Sequence, residues 1–288
     1  MSKIKAKKHW SQNFFQDPEL LALTLETLDL QADDKVLEVG PGQGVLTEIL
    51  LEQVAEVWAV EVDPELVFHL KRHFQDEPRL TLIHQDFMRY DLDQFFPEAP
   101  LSQRKFIANI PYHLTTPILM KVLNETVFKQ GINADTPYFS DICLMVQKEV
   151  AERLCASPGT KAYGAITVAT QYAADTEILA ILPKHLFKPQ PKVDSALIRL
   201  QPRTEALIET PHLQLMWKVV RQIYQMRRKT LRNVLKAMGI EQAGLEEINK
   251  NTDLKLRGEV LGLERLVQLT TDIARVQAES AQEESEQG

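Results

Sequence analysis

The sequence predicts an α/β protein with a largely parallel sheet, followed by a smaller domain made only of helices. The first observation is the alternation of short β-rich runs with amphipathic helical runs from Asp17 to about Leu200, which is typical of a parallel sheet covered by helices. The second is a change near Thr204, beyond which strand signals end and helical repeats take over. With 288 residues, of which 44% are apolar, the chain is long enough to form two cores.

The predicted elements alternate in the order that such a sheet requires. Asp17 and Pro18 are typical of a helix start, because aspartate can cap the first turn and proline fits its first position. Five β-rich runs follow with helical runs between them, and two later runs should close one edge of the sheet as an antiparallel hairpin. The five strands are predicted at 35–39, 57–61, 80–84, 105–109 and 142–146, and the edge pair at 177–182 and 196–200.

Composition and charge divide the chain into three parts. We expect an α/β domain over residues 1–203, a helical domain over 204–276 and a disordered tail over 277–288. The tail carries four glutamates and no basic residue, so it supplies much of the formal net charge of −7. The negative net charge does not reflect two local groups of basic residues. One lies among the first eight residues and the other between Arg221 and Lys236.

The composition also argues against several classes of protein. The apolar stretches are shorter than the roughly 18 residues that a membrane-spanning helix needs, and the basic N-terminus leads into no apolar signal segment. Cys143 and Cys155 are too few for a disulfide framework and lack metal-ligand spacing, and His69 and His73 lack a third ligand. We therefore expect a cytoplasmic protein with no membrane association and no bound metal.

A glycine-rich turn predicts a ligand site at the end of the first strand. Gly40, Gly42 and Gly44 lie between a strand and a helix, where glycine permits positive φ and lets the backbone approach a ligand closely. An ordinary tight turn also fits this segment taken alone. The next strand, however, ends in Glu61, about twenty residues further on, where a carboxylate can accept both hydroxyls of a ribose.

The third strand adds Asp86, a carboxylate that can accept a hydrogen bond from the amino group of adenine. The three strand ends together describe an adenosine pocket, for which NAD and S-adenosylmethionine are the candidates. The turn lacks the G-x-G-x-x-G frame that seats a pyrophosphate, and Glu38 just before it would repel a pyrophosphate but attract a cationic amine. Both facts favour S-adenosylmethionine.

The fourth strand ends in Asn109-Ile110-Pro111-Tyr112, which suits methyl transfer to an adenine amine. That amine is a poor nucleophile because its lone pair is delocalised into the ring. Asn109 can accept a hydrogen bond from the amine, and the rigid turn at Pro111 can aim the Ile110 carbonyl at the second N–H. Tyr112 can stack on a base taken out of its helix. A strand terminus without catalytic function is the alternative for this segment.

The basic segment from Arg227 to Asn233 is predicted to lie on a helix, where Arg228, Arg232 and Lys236 share one face. Such a stripe can follow a phosphate backbone, with strong salt dependence and no sequence readout. An ordinary solvated helix face fits the charges alone equally well.

Six segments together resemble the motif series of the KsgA (RsmA) family of rRNA adenine dimethyltransferases, in matching order and spacing from about residue 8 to residue 270. The family usually has glycine at the position of Ser11, leucine at that of Phe15 and asparagine at that of His113. The segments are SQNFF (11–15), EVGPGQG (38–44), NIPY (109–112), QKEV (147–150), KAYG (161–164) and FKPQPKVDS (187–195).

This resemblance implies a Rossmann-like, S-adenosylmethionine-dependent methyltransferase fold with a small all-helical domain that docks RNA. It implies an enzyme that dimethylates two adjacent adenines in the 3′-terminal hairpin of small-subunit (16S) rRNA, with the immature 30S-type subunit as partner. We expect it to act as a monomer. Three alternatives remain: a 23S rRNA adenine methyltransferase of the macrolide-resistance type, a non-catalytic rRNA-binding assembly factor and a small-molecule N-methyltransferase.

The resemblance also implies a role for each residue of the site. The methionine end of the cofactor would lie near Asn13 and Phe15, and Phe187 would help to hold the flipped adenine. The implied cofactor contacts are Asn13, Phe15, Gly40, Gly42, Glu61, Asp86 and Asn109; the implied reaction site is Asn109, Pro111 and Tyr112; and the implied substrate contacts are Tyr112, Phe187, Arg227, Arg228, Lys229 and Arg232.

Overall fold

A computed structural model of the chain describes residues 14–15, 29–109, 114–125, 127–133, 135 and 137–286. Its contacts divide the chain into two compact units. The first unit comprises residues 1–125, 135–152 and 174–202, and the second comprises residues 126–134, 153–173 and 203–288. The helix start predicted at Asp17 and Pro18 lies outside the described residues.

The first unit is built on a seven-stranded sheet of β2 (Lys35–Val39), β3 (Glu56–Glu61), β4 (Leu80–His84), β5 (Arg104–Asn109), β6 (Asp141–Gln147), β7 (Ala174–Leu182) and β9 (Ser195–Pro202). Across the sheet the strands lie in the order β4-β3-β2-β5-β6-β9-β7. Neighbours from β4 to β6 run parallel, whereas β9 and β7 are antiparallel additions at the β6 edge. This topology confirms the predicted α/β class and the antiparallel edge pair.

A second, two-stranded sheet joins distant parts of the chain. Strand β1 (Phe14–Phe15) pairs antiparallel with β8 (Phe187–Lys188), so that Phe15 lies opposite Phe187. The sequence did not predict these short strands, because two residues carry no periodicity.

Helices connect the parallel strands, as the alternating pattern predicts. Helix α1 (Val45–Gln53) begins directly after the glycine turn, and α2 (Pro64–His73) is capped by Asp63, whose side chain accepts a hydrogen bond from Glu65 N at 3.0 Å. Helix α3 (Thr115–Val122) follows β5, and α5 (Lys148–Leu154) follows β6. The apolar residues of β2, β5 and β6 are almost fully buried, which fixes the carboxyl ends of these strands along one edge of the sheet.

Helices form the second unit. Apart from the single turn α4 (Val127–Gln130), they are α6 (Ala165–Ala173), α7 (Thr210–Gln225), α8 (Leu231–Ala237), α9 (Gln242–Ile248) and α10 (Leu263–Glu286). The sequence assigns 126–134 and 153–173 to the α/β domain, but here they group with the later helices. The reason is aromatic packing, since Phe128 and Tyr172 lie 5.6 and 5.2 Å from Trp217, centroid to centroid.

Helix α10 continues through most of the segment for which the sequence predicts a disordered tail, and it ends at Glu286. Leu266, Leu269, Ile273 and Val276 of this helix are buried, whereas residues 277–282 are exposed. None of the helices within the described residues is both long and apolar enough to cross a membrane.

Candidate functional site

The glycine turn lies at the carboxyl edge of the sheet, between the ends of β3 and β5. Gly40, Gly42 and Gly44 have φ values of 74°, 60° and 87°, a region that disfavours other residues. Gly40 N donates to Val60 O at 3.0 Å, and a Cβ on Gly40 would come within 3.3 Å of the backbone oxygen of Asn109. The turn is thus packed against the residue that ends β5.

Glu61 is held close to this turn. The residue is 5% exposed, and its Oε1 accepts hydrogen bonds from Val62 N at 2.8 Å and Asp63 N at 2.9 Å. Its Oε2 lies 3.4 Å from Gly42 N, the third donor that faces this carboxyl group. Burial raises the pKa of Glu61, and these three N–H groups oppose the shift. The carboxylate is therefore fixed in position, with acceptor capacity remaining on Oε2.

Glu38 supplies a second buried carboxyl group beneath the turn. It is 2% exposed and accepts a hydrogen bond of 2.6 Å from Thr47 Oγ1 in α1. Burial raises the pKa of Glu38 to about 7; the Thr47 hydroxyl opposes this shift, and the neighbouring Glu61 adds to it. A cation placed here would stabilise the charged form of Glu38, as the sequence predicts for a ligand amine.

Asp86 lies at the end of the next strand, as predicted, and is more exposed than the two glutamates. Its Oδ1 accepts a hydrogen bond of 2.9 Å from Met88 N and so caps the 3-10 turn Phe87–Arg89. Its second oxygen is 4.0 Å from Arg89 Nε. Neither contact exhausts the acceptor capacity of the carboxylate.

Asn109 ends β5 next to the glycine turn, on a strand that pairs in parallel with both β2 and β6. The structure therefore brings Gly40, Glu61, Asp86 and Asn109 to the ends of adjacent strands, as predicted. The other predicted reaction-site residues, Pro111 and Tyr112, lie outside the described residues, and so does Asn13. For Phe15 only the backbone of strand β1 is described.

Phe187, the predicted contact to the flipped adenine, is almost completely buried. Its side chain is 2% exposed and belongs to the apolar core of the first unit, together with Met145, Leu182 and Leu197. In this structure Phe187 anchors β8, and through the backbone pairing of β8 it fixes β1.

The basic segment is not continuous helix, so the predicted stripe of Arg228, Arg232 and Lys236 on one helix face is wrong. Helix α7 ends at Gln225, residues 226–229 form turns, and Thr230 is extended where it forms an antiparallel bridge with Arg257. The bridge replaces the helical hydrogen bonds there: Leu231 N donates to Leu256 O at 2.8 Å. No glycine or proline lies at this break, so the sequence has no local signal that predicts it.

Arg227 is engaged within its own unit. Its Nε donates to Glu259 Oε2 at 2.5 Å, and its Nη2 donates to the carbonyls of Thr160 and Lys161 at 3.3 and 3.0 Å. These bonds use three of the five N–H donors of the guanidinium, so the geometry gives Arg227 a structural role. By contrast, Arg228 and Lys229 are exposed and Arg232 is half-buried.

The bridge at Thr230 adds two cations that sequence reasoning missed. Leu231 N donates to Leu256 O, and Arg232 N donates to Leu254 O at 3.0 Å. The exposed residues Lys255 and Arg257 belong to this paired segment. They lie about 25 residues from the basic segment in sequence, and only the backbone pairing brings them together. We call Arg228, Lys229, Arg232, Lys255 and Arg257 the basic cluster.

Groups of three or more metal-ligating side chains were not found within the described part of the chain. Cys143 is buried in the sheet core, and Cys155 is only partly buried.

Comparisons with known proteins agree with this geometry. Residues 3–261 match the family described as ribosomal RNA adenine dimethylase. Ribosomal RNA small subunit methyltransferase A from Clostridium acetobutylicum is 37% identical over 274 residues, which cover 94% of this chain and 95% of the relative. The protein of the same name from Alkaliphilus metalliredigens is 38% identical over 281 residues, with 94% and 93% covered.

Two solved structures are similar over nearly the whole chain. The 23S rRNA methyltransferase ErmE superposes with a TM-score of 0.66 at 25% identity, covering 90% of this chain and 99% of ErmE. A dimethyladenosine transferase from Plasmodium falciparum superposes with a TM-score of 0.73 at 21% identity, covering 91% and 98%. The second similarity establishes the fold only, and this fold is the Rossmann-like methyltransferase fold that the sequence predicts.

Proposed function

Because the chain belongs to the ribosomal RNA adenine dimethylase family, we propose that it dimethylates the N6 amines of two adjacent adenines in the 3′-terminal hairpin of small-subunit rRNA. The enzyme is an S-adenosylmethionine-dependent rRNA adenine dimethyltransferase. The observation that best supports this reaction is the packing of the Gly40 turn against Asn109. It places the turn that would bind the cofactor next to a residue whose carboxamide can accept a hydrogen bond from the target amine. The relatives at 37% and 38% identity are small-subunit enzymes, which favours this substrate over 23S rRNA.

The residues at the sheet edge fit S-adenosylmethionine. Gly40 and Gly42 have positive φ and no Cβ, which would let their backbone approach the ligand closely, and Glu38 would offer a buried carboxyl group to the ligand's ammonium. Glu61 would accept the ribose hydroxyls through Oε2, and Asp86 would accept the adenine amine. Asn13 and Phe15 would border the methionine end.

When bound, the cofactor would supply a methyl group from a sulfonium: the departing thioether is a good leaving group, and the proton that the methylated amine loses would pass to water. The protein therefore contributes mainly position and hydrogen bonding rather than general-base catalysis. The Asn109 carboxamide oxygen would accept one N–H of the target amine, and the Ile110 carbonyl, held by Pro111, would accept the other. Both bonds favour a pyramidal nitrogen whose lone pair faces the methyl group. Tyr112 would stack on the flipped adenine.

The basic cluster would hold the phosphate backbone of the rRNA. Its five side chains come from two segments, which gives a patch rather than a stripe, and contacts of this kind add affinity without sequence readout. The buried Phe187 supports a role in fixing β1 rather than a direct stacking role. We further propose an immature 30S-type subunit as partner, a monomeric enzyme and a cytoplasmic site of action, since ribosomal subunits are assembled there.

The test is to incubate the full-length protein with labelled S-adenosylmethionine and undermethylated small subunits, and then to map the modified bases. We expect dimethyladenine at two adjacent positions of the 3′ hairpin, and no incorporation into large subunits treated in parallel. Incorporation into large subunits alone would refute the assignment. Turnover of free adenine-like molecules, without salt-sensitive RNA binding, would indicate a small-molecule enzyme instead.

A further inference from the structure

A lysine on α3 holds the loop that carries Asp86. The ammonium of Lys121 donates to the backbone carbonyls of Met88 at 3.1 Å and of Tyr90 at 2.5 Å. It also lies 5.3 Å from the ring centroid of Phe87. One side chain thus contacts three successive parts of the loop that follows β4.

The peptide groups of Met88 connect this lysine to Asp86. Met88 N donates to Asp86 Oδ1 at 2.9 Å, and Met88 O accepts from Lys121 Nζ. The same residue is therefore held on one side by the carboxylate and on the other by the ammonium. Because Asp86 is oriented by its bond to Met88 N, the position of its carboxylate depends on a backbone that Lys121 fixes.

The choice of a lysine at this position needs an explanation beyond packing. The side chain is half-buried, and burial lowers the pKa of Lys121 while Asp91, Asp86 and Glu125 oppose the shift. A methionine would fill similar space without that desolvation penalty. What the ammonium adds is two charge-assisted hydrogen bonds and a cation–π contact, all directed at the loop of Asp86.

Lys121 also links this loop to the neighbouring strand end. Its helix begins at Thr115, six residues after Asn109, and Phe87 lies 5.6 Å from Phe106 of β5, centroid to centroid. The loop that would bind adenine and the helix that follows the reaction segment are therefore joined through one side chain.

We propose that Lys121 is a positioning residue that orients Asp86 toward the adenine amino group and so sets the selectivity of the cofactor pocket for adenine. This inference rests on the proposed function, because it takes Asp86 as the acceptor for that amine. Lys121 does not itself touch the cofactor; it acts through the backbone of Met88.

The test compares two ligands that differ at the edge of the base that Asp86 would recognise. S-adenosylhomocysteine carries the amino group, whereas S-inosylhomocysteine carries a carbonyl oxygen there and a proton on the neighbouring N1. Calorimetry on the full-length protein should show that Lys121→Met weakens S-adenosylhomocysteine about tenfold, the effect of losing one directed charge-assisted bond, while S-inosylhomocysteine changes less than about twofold. Lys121→Arg keeps the donors and should restore most of the selectivity.

Lys35→Met is the matched control. Lys35 is the first residue of β2, so it lies at the end of the sheet away from the carboxyl ends of the strands. Its Nζ is 4.6 Å from the Phe96 ring centroid and 3.6 Å from Glu56 Oε2. Like Lys121, it therefore has a cation–π contact and a charge-assisted polar contact. This control should leave the ratio of the two affinities unchanged. Equal weakening of both ligands in Lys121→Met, or no change in either, overturns the inference.

Two further variants separate the possible failures. Asp86→Asn should lower the affinity ratio; if it does not, the adenine role of Asp86 in the proposed function is wrong. If Asp86→Asn lowers the ratio and Lys121→Met does not, the role of Lys121 alone is wrong. Should Lys121→Met fail to fold by circular dichroism, Lys121→Gln takes its place, and an unchanged ratio in that variant overturns the inference equally.

Discussion

Replacement of Glu38 by glutamine tests the electrostatics of the cofactor site without the cofactor. The pKa of this buried carboxyl group is raised from 4.5 to about 7, so the folded state binds more protons than the unfolded state between these values. The contribution of Glu38 to the stability of the wild-type protein therefore falls as pH rises from about 4.5 to 7 and is level above that. Because of this shift, ionisation of Glu38 lowers the free energy of unfolding by about 3 kcal/mol above pH 7 and by about 1 kcal/mol at pH 5.

Glu38→Gln keeps an oxygen that can accept the hydrogen bond from Thr47 Oγ1, but it carries no charge. Without ligand, we expect the variant to be more stable than the wild type by about 3 kcal/mol at pH 8 and by about 1 kcal/mol at pH 5. Chemical denaturation followed by circular dichroism measures both values. Glu52→Gln, an exposed change on the same helix α1, is the control and should show no such pH dependence.

The same variant should lose affinity for S-adenosylmethionine, because the ligand's ammonium then has no carboxylate beside it. Addition of the cofactor at pH 8 should raise the stability of the wild type much more than that of Glu38→Gln. A stability difference that is equal at pH 5 and pH 8 would refute the reasoning, as would a wild type that is the more stable protein at pH 8.

Three further predictions concern the turn and the basic cluster. Gly40→Ala should cost about 1 to 2 kcal/mol of stability, because φ is +74° there, and should abolish cofactor binding in calorimetry; unchanged binding would contradict the role of the turn. Arg227→Ala should lower stability by about 2 kcal/mol in chemical denaturation, because it removes a charged hydrogen-bond network, whereas Arg228→Ala should leave it unchanged; equal effects would contradict the structural role of Arg227. The double variant Arg228→Ala/Arg232→Ala should reduce the slope of log affinity for rRNA against log salt by about one per cation in filter binding, and an unchanged slope would exclude both side chains from phosphate contact.

The sheet could be predicted from sequence because its signals are local and repeated. Strands such as Lys35–Val39 and Leu80–His84 are short β-rich runs between helical segments, and both were predicted with their observed bounds. The ends of such strands fall along one edge by topology alone, which is why Glu61 and Asn109 could be assigned to one site. For these residues, the position in the sequence pattern is enough to predict the position in the fold.

The sequence failed where backbone pairing or packing between distant segments decides the structure. The break at Thr230 depends on its bridge to Arg257, and neither residue is a recognised helix breaker. The grouping of 153–173 with the later helices depends on the contact of Tyr172 with Trp217. Likewise, the contacts of Lys121 with Met88 and Tyr90 join residues more than thirty positions apart, and no local signal marks them.

The central claim is that the residue ending β5 beside the glycine turn orients the target amine for methyl transfer. Single-turnover methylation of undermethylated small subunits by Asn109→Ala, with cofactor affinity measured on the same protein, tests it most directly. We predict a transfer rate at least about a hundredfold lower, since hydrogen bonding and orientation at the reacting atom are lost, and a much smaller change in cofactor affinity. Asn109→Asp retains an acceptor oxygen and should retain part of the rate. A transfer rate for Asn109→Ala equal to that of the wild type would contradict the claim.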